Sequence, residues 1–191
     1  MRKDVKRHLS EMLDPLLQRG VEERIFPAVA IGVSVILEGV RQRFFFAYGA
    51  PTYERTSEAP PIDHTSYFDL ASLTKPLATA LSVLLLVAEG GVRLEETLSS
   101  LLLTELSSAK KEITLRHLLC HASGLAAYQP YFRKLATLSP QQRAPAVLQS
   151  ILTEPLAYHP CQKSVYSDLG FLLLGFIIER KSGLQIGRAH V

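Results

Sequence analysis

Cysteine is nearly absent from this 191-residue sequence, with Cys120 and Cys161 its only two. That pair is compatible with a reducing compartment and leaves room for one disulfide at most. Charge of one sign is also scarce. The formal net charge is +3, and basic residues gather only in short clusters such as Arg2, Lys3, Lys6 and Arg7, so neither nucleic acid nor a membrane surface is an evident partner. No stretch reaches the ~20 apolar residues that span a bilayer. The longest, residues 81–88 and 171–178, are expected to be buried helices. The opening MRKDVKRHLSEMLDPLLQRG lacks the continuous apolar stretch and small-residue cleavage site of a secretory signal, which predicts a cytoplasmic protein. Internal repeats and low-complexity tracts are missing too.

A hydrophobic fraction of 47% with 20% charged residues describes one globular domain. Val5, Leu9, Met12, Leu13, Leu16 and Leu17 recur at helical spacing, predicting an amphipathic helix that ends near Gly20. AVAIGVSVIL and RQRFFFAYG, joined by Glu38, Gly39 and Val40, read as a β-hairpin. A proline-rich loop follows over residues 51–65. Residues 73–90 are apolar nearly all round, which predicts a helix buried on most sides. Thr114 is an expected N-cap with Gly124 as a stop, and a further helix is expected over residues 141–153. The last helix is expected to start at Ser167 or Asp168 and stop at Gly183. Helix, hairpin, then several helices indicate an α+β fold.

FDLASLTKPLATA places Ser72 three residues before Lys75. Serine is a weak nucleophile at neutral pH and needs a base within hydrogen-bond reach. A lysine at i+3 on the same helical face supplies one, and the helix start offers free N–H groups and a positive dipole end. Pro76 is tolerated there because it falls close to the first turn. The spacing alone is weak evidence, since Ser107 with Lys110 and Ser108 with Lys111 repeat it. Those pairs lie in the polar SSAKKE and read as solvated loop; only Ser72 stands between a strand-like YFDLA and an apolar helix.

These residues resemble the nucleophile segment of the serine β-lactamase and penicillin-binding-protein superfamily, closest to class C β-lactamase-like serine hydrolases and their esterase relatives. HLLCHASGL resembles the histidine-bearing segment of those proteins, and YSDLGF, beginning at Tyr166, resembles their Tyr-x-Asn motif. The decoy Tyr67-Phe68-Asp69 shares that pattern without the context. The resemblance covers about residues 25–185 and implies a helical cluster packed on an antiparallel sheet. It further implies acyl transfer, in which Ser72 attacks a carbonyl while Lys75 and Tyr166 manage its proton. The Ser72 N–H would supply half of an oxyanion hole, each such donor being worth roughly 2.7 to 4 kcal/mol in the transition state. Asp168 departs from the commoner asparagine. Near Lys75 its carboxylate would favour the ammonium, leaving a Tyr166 phenolate as the base; otherwise it is a helix N-cap.

The family's third motif, a Lys-Thr-Gly or His-x-Gly triad on a strand, does not follow Tyr166 in this sequence. Most of the sheet is therefore expected to be missing, and the chain as written is expected to be inactive, with the enzyme its longer parent. The tail IGRAHV has the sequence that read-through of a common sequencing adapter would encode, so the expected division is a partial hydrolase domain, 1–185, and a non-native tail, 186–191. His117, Cys120 and His121 do not close a tetrahedral metal site, so no metal or cofactor is expected. Cys120 reads as a small core residue, and Tyr128, Tyr131 and Phe132 as loop packing rather than pocket lining. The expected partner is a small-molecule ester or amide, with the oligomeric state open. Esterase activity leads, β-lactamase or D-alanyl-D-alanine carboxypeptidase is the alternative, and a non-catalytic binding protein or inert fragment is the alternative of another class.

Overall fold

The computed structural model describes residues 2–53 and 60–184. The tail assigned to 186–191 and the middle of the proline-rich loop lie outside the described residues. The chain divides into two compact units, Met1–Asp69 and Leu70–Val191.

In the first unit, α1 (Arg2–Glu22) precedes an antiparallel hairpin of β1 (Ala28–Leu37) and β2 (Val40–Gly49), registered from Ala28 opposite Gly49 to Leu37 opposite Val40. Glu38 and Gly39 alone form the turn, both with positive φ, 50° and 78°, as a type I′ turn requires. Val40 belongs to the strand. Alternation puts Val29, Ile31, Val33, Val35, Phe44 and Phe46 on one face, where they pack with Val5, Leu9, Leu13 and Leu17 of α1. Met12 and Leu16 share the helical period but face solvent. The helix continues through Gly20 to Glu22, because Gly20 answers a packing need: a Cβ there would sit 2.3 Å from the Phe26 ring.

The second unit is helical: a 3₁₀ turn (Ala71–Leu73), a π-helical turn (Lys75–Ala80), α2 (Leu81–Ala88), α3 (Leu98–Leu102), α4 (Leu115–Leu119), α5 (Phe132–Leu135), α6 (Pro140–Thr153) and α7 (Asp168–Ser182). Helix α7 is the core element. Leu173, Leu174 and Ile177 are fully buried with Leu98 and Leu101 of α3, Leu115 and Leu118 of α4, and Ile151 of α6. Its ends follow the sequence signals: the Ser167 hydroxyl accepts from the Gly170 N–H, and Gly183 closes it with φ 70°. Thr114 caps α4 as expected, but α4 ends at Leu119, well before Gly124. Gly124 instead turns with φ 83° against the Tyr158 carbonyl, where a Cβ would approach to 2.2 Å.

Two sequence expectations fail here. The strand-like segment just before Ser72 is no strand, since residues 67–70 form no ladder. The helix after it is not buried on most sides: only Ser82 and Val83 are buried, while Leu73, Leu77, Leu81, Leu84 and Leu85 are each more than half exposed. An all-round apolar surface needs all-round cover, and α7 covers one side. The run Ala71–Ala88 also has the length and apolarity of a membrane span, with mean hydropathy 1.7, whereas its separate apolar run looked too short. Val83, fully buried in the core, gives the run a protein partner on that side.

The polar SSAKKE segment is not all solvated loop either. Lys110 is buried, and its Nζ donates to the carbonyls of Ile151 at 3.0 Å and Leu152 at 2.7 Å, the open C-terminal end of α6. Those orphan carbonyls attract a cation.

Candidate active site

Ser72 stands in the 3₁₀ turn directly after Ala71, whose backbone is left-handed at φ 43°. For alanine that conformation costs on the order of 1–3 kcal/mol, and such strain gathers at functional sites. Lys75 opens the π-helical turn and Pro76 follows at its second position, where a missing N–H does least harm. π-Helical turns recur at functional sites as well.

Helix α7 delivers the partners across 91 to 96 positions of sequence. Asp168, its first residue, pairs with Lys75, Nζ to Oδ1 at 2.7 Å. The capping hydroxyl is that of Ser167, so Asp168 is free to turn to the lysine. The Lys75 Nζ also lies 4.9 Å from the centre of the Tyr166 ring and 5.8 Å from that of Phe171, within cation–π range. Burial disfavours the Lys75 ammonium, but hydrogen bonds to Asp168 and then Tyr166 outweigh it and raise its pKa above the ordinary 10.5. The Tyr166 hydroxyl is held below the ordinary 10.0, first by its hydrogen bond with Lys75 and then by that with Ser72. Hydroxyl, amine and phenol thus converge, and the carboxylate stands behind the amine.

His121 borders the same place, its ring tilted 32° to Tyr166 with centres 4.7 Å apart. A cleft of about 470 Å³ opens over Ser72, edged by Leu70, Leu73, Pro76 and Leu119. A second, mostly apolar cavity of about 740 Å³ reaches Lys75 and Asp168 from the other side and includes Tyr128, Arg143 and Phe176. Both volumes fall in the range of small-molecule sites, about 300–1,000 Å³.

The remaining candidates disperse. Tyr67 of the decoy is fully exposed. Cys120 is exposed rather than core, and both cysteines are free thiols. His117 Nε2 lies 3.0 Å from Cys161 Sγ while its Nδ1 faces the Thr114 N–H, so His117 and His121 serve different partners. Tyr131 is buried, Phe132 is exposed, and Tyr128 lines the larger cavity, a pocket position where loop packing was expected. Sequence reasoning treated His121 as one residue of a block and gave it no partner. The contact spans 45 positions and leaves no periodic trace.

Comparison with known proteins bears on the fold and the family. Solved structures share the fold: a class C β-lactamase at 20% identity and TM-score 0.70 over 96% of this chain and 46% of its own, and an octameric penicillin-binding protein homologue from Pyrococcus abyssi at 23% and TM-score 0.70 over 91% and 39%. The fold class is therefore that of β-lactamases and penicillin-binding proteins. Residues 13–189 match the Beta-lactamase family, and the chain belongs to it. Among curated relatives, Penicillin-binding protein 4* of Bacillus subtilis is 30% identical over 81% of this chain and 33% of its own length. A putative D-alanyl-D-alanine carboxypeptidase of Salmonella typhimurium is 31% identical over 68% and 32%. The chain spans about a third of the length of these relatives. The family supports a serine-hydrolase type of function.

Proposed function

We propose that this chain carries the acylating half of a serine hydrolase that acts on a small-molecule ester or amide through an acyl-enzyme on Ser72. One observation carries the reading: the Tyr166 phenol hydrogen-bonds with both Ser72 and Lys75, and its pKa is lowered by that contact. Tyr166, as phenolate beside the Lys75 ammonium, takes the Ser72 proton as Oγ bonds to the carbonyl carbon. The same phenol returns that proton to the departing alcohol or amine. Water then releases the acyl group by the reverse route. Asp168 holds the lysine charged, so Lys75 acts as an electrostatic partner rather than as the base. The Ser72 N–H serves as one oxyanion donor.

A second reading, D-alanyl-D-alanine carboxypeptidase, is favoured by the names of the curated relatives. In either case this chain, which spans about a third of the length of those relatives, supplies the acylation groups. A fluorophosphonate probe should modify Ser72 in the full chain and leave Ser72→Ala unlabelled. Labelling that survives that substitution rejects the nucleophile, and a chain inert to the probe favours a binding protein or inert fragment. The Asp168→Asn variant tests the assignment of the base. Loss of the carboxylate lowers the Lys75 pKa, because its main charged partner is gone, and lowers that of Tyr166 further, because Asp168 opposes the phenolate. Both limbs of the pH–rate profile should therefore move to lower pH; a profile that keeps both limbs in place excludes Tyr166 as the base.

A further inference from the structure

His121 touches the tyrosine segment three times. Its carbonyl accepts from the Val165 N–H at 2.9 Å, its Nδ1 accepts from the Ser167 N–H at 3.0 Å, and its ring lies against that of Tyr166. The residues on either side of Tyr166, Val165 and Ser167, thus both donate their N–H to one residue. The left-handed backbone of His121, φ 55°, lets carbonyl and ring reach the same segment; histidine is enriched in that conformation, though far less than glycine. On the far side the ring meets Phe171 of α7, centres 5.0 Å apart.

We propose that His121 is a positioning residue: its neutral form holds Tyr166 in register with Ser72 and Lys75, and protonation of the ring releases the phenol. The inference deepens the acyl-enzyme reading above and rests on it for its catalytic consequence. An Nδ1 that accepts from Ser167 carries no proton, so the neutral ring must bear its hydrogen on Nε2. Protonation puts an N–H at Nδ1, donor against donor, and the clamp on Ser167 is lost. The charged and titratable groups facing the ring are Lys75 from the nucleophile helix and Asp168 and Tyr166 from the α7 entry. Burial, then the Lys75 charge, disfavours the imidazolium and outweighs the opposing pull of Asp168 and of the Ser167 backbone, so the pKa lies below 6.5, while the bond itself has the Ser167 N–H as donor and Nδ1 as acceptor. The sign follows by linkage: the unfolded chain binds this proton more readily, so the clamp is complete at neutral pH and weakens as pH falls below about 6.5.

The test combines two measurements on the full chain. In long-range ¹H–¹⁵N spectra His121 should show the Nε2–H tautomer at neutral pH, and the Ser167 and Tyr166 amides should shift with the same midpoint as the ring. The rate of Ser72 labelling by a fluorophosphonate, followed from about pH 5 to 8, should fall on the acid side with that midpoint. His121→Ala, lacking acceptor and ring, should slow labelling at every pH by about 10- to 100-fold. His121→Asn keeps a short acceptor, tolerates the left-handed backbone and cannot titrate. It should recover part of that loss and abolish the acid limb. A Ser167 amide indifferent to the ring's titration overturns the proposal, as does a wild-type acid limb in His121→Asn or a wild-type rate in His121→Ala. Labelling that persists in Ser72→Ala sinks the acyl-enzyme reading instead, and the spectra then decide the clamp alone.

Discussion

Helix α7 and the run Ala71–Ala88 are both dominated by apolar side chains, yet they end in opposite surroundings. In α7, Leu169, Gly170, Leu173, Leu174, Gly175, Ile177 and Ile178 are buried, with α3, α4 and α6 around them. In the other run only Ser82 and Val83 are buried. Neither stretch has a polar face to declare which side meets water. Hydropathy states how much surface asks for cover and is silent on what covers it. Lys110 makes the same point in reverse, a charged residue of a polar segment that ends buried because two unpaired carbonyls await it.

The largest effect is expected for Leu173→Ala. Leu173 is fully buried, so the cavity left behind should destabilise the second unit by about 2–5 kcal/mol in urea unfolding. Next comes Lys110→Ala, which strips a charged donor from two carbonyls and should cost about 1.5–3 kcal/mol. Burial holds the Lys110 pKa below 10.5. The unfolded chain therefore binds this proton more tightly, and the group's desolvation penalty should ease as pH rises toward 10.5. An alanine variant that keeps wild-type stability would show the two hydrogen bonds to be idle. The smallest effect is expected at Leu84, which is 51% exposed: Leu84→Ala should stay within about 0.5 kcal/mol. A loss as large as that of Leu173→Ala would erase the distinction between the helices.

Much of the local structure was legible. Alternation revealed the hairpin, Ser167 and Gly183 bounded α7, and Thr114 marked the start of α4, because caps and turns are decided by residues within a few positions of one another. Ser72, Lys75 and Tyr166 were legible only as three separated blocks in order. The burial of the 71–88 run, the site of Cys120 and the use of Tyr128 were misjudged, since each depends on neighbours far along the chain. Asp168 stood between two readings, and the hydroxyl of Ser167 settled it by taking the cap.

Local residue patterns specified the hairpin and the starts of α1, α4 and α7, and made a serine, a lysine and a tyrosine candidates for one chemistry. Folding alone brings Asp168 to Lys75 and the N–H groups of Val165 and Ser167 to His121. Short-range hydrogen bonds and side-chain period are written in adjacent residues, whereas a contact across 45 or more positions exists only once the core of α7 has drawn the segments together.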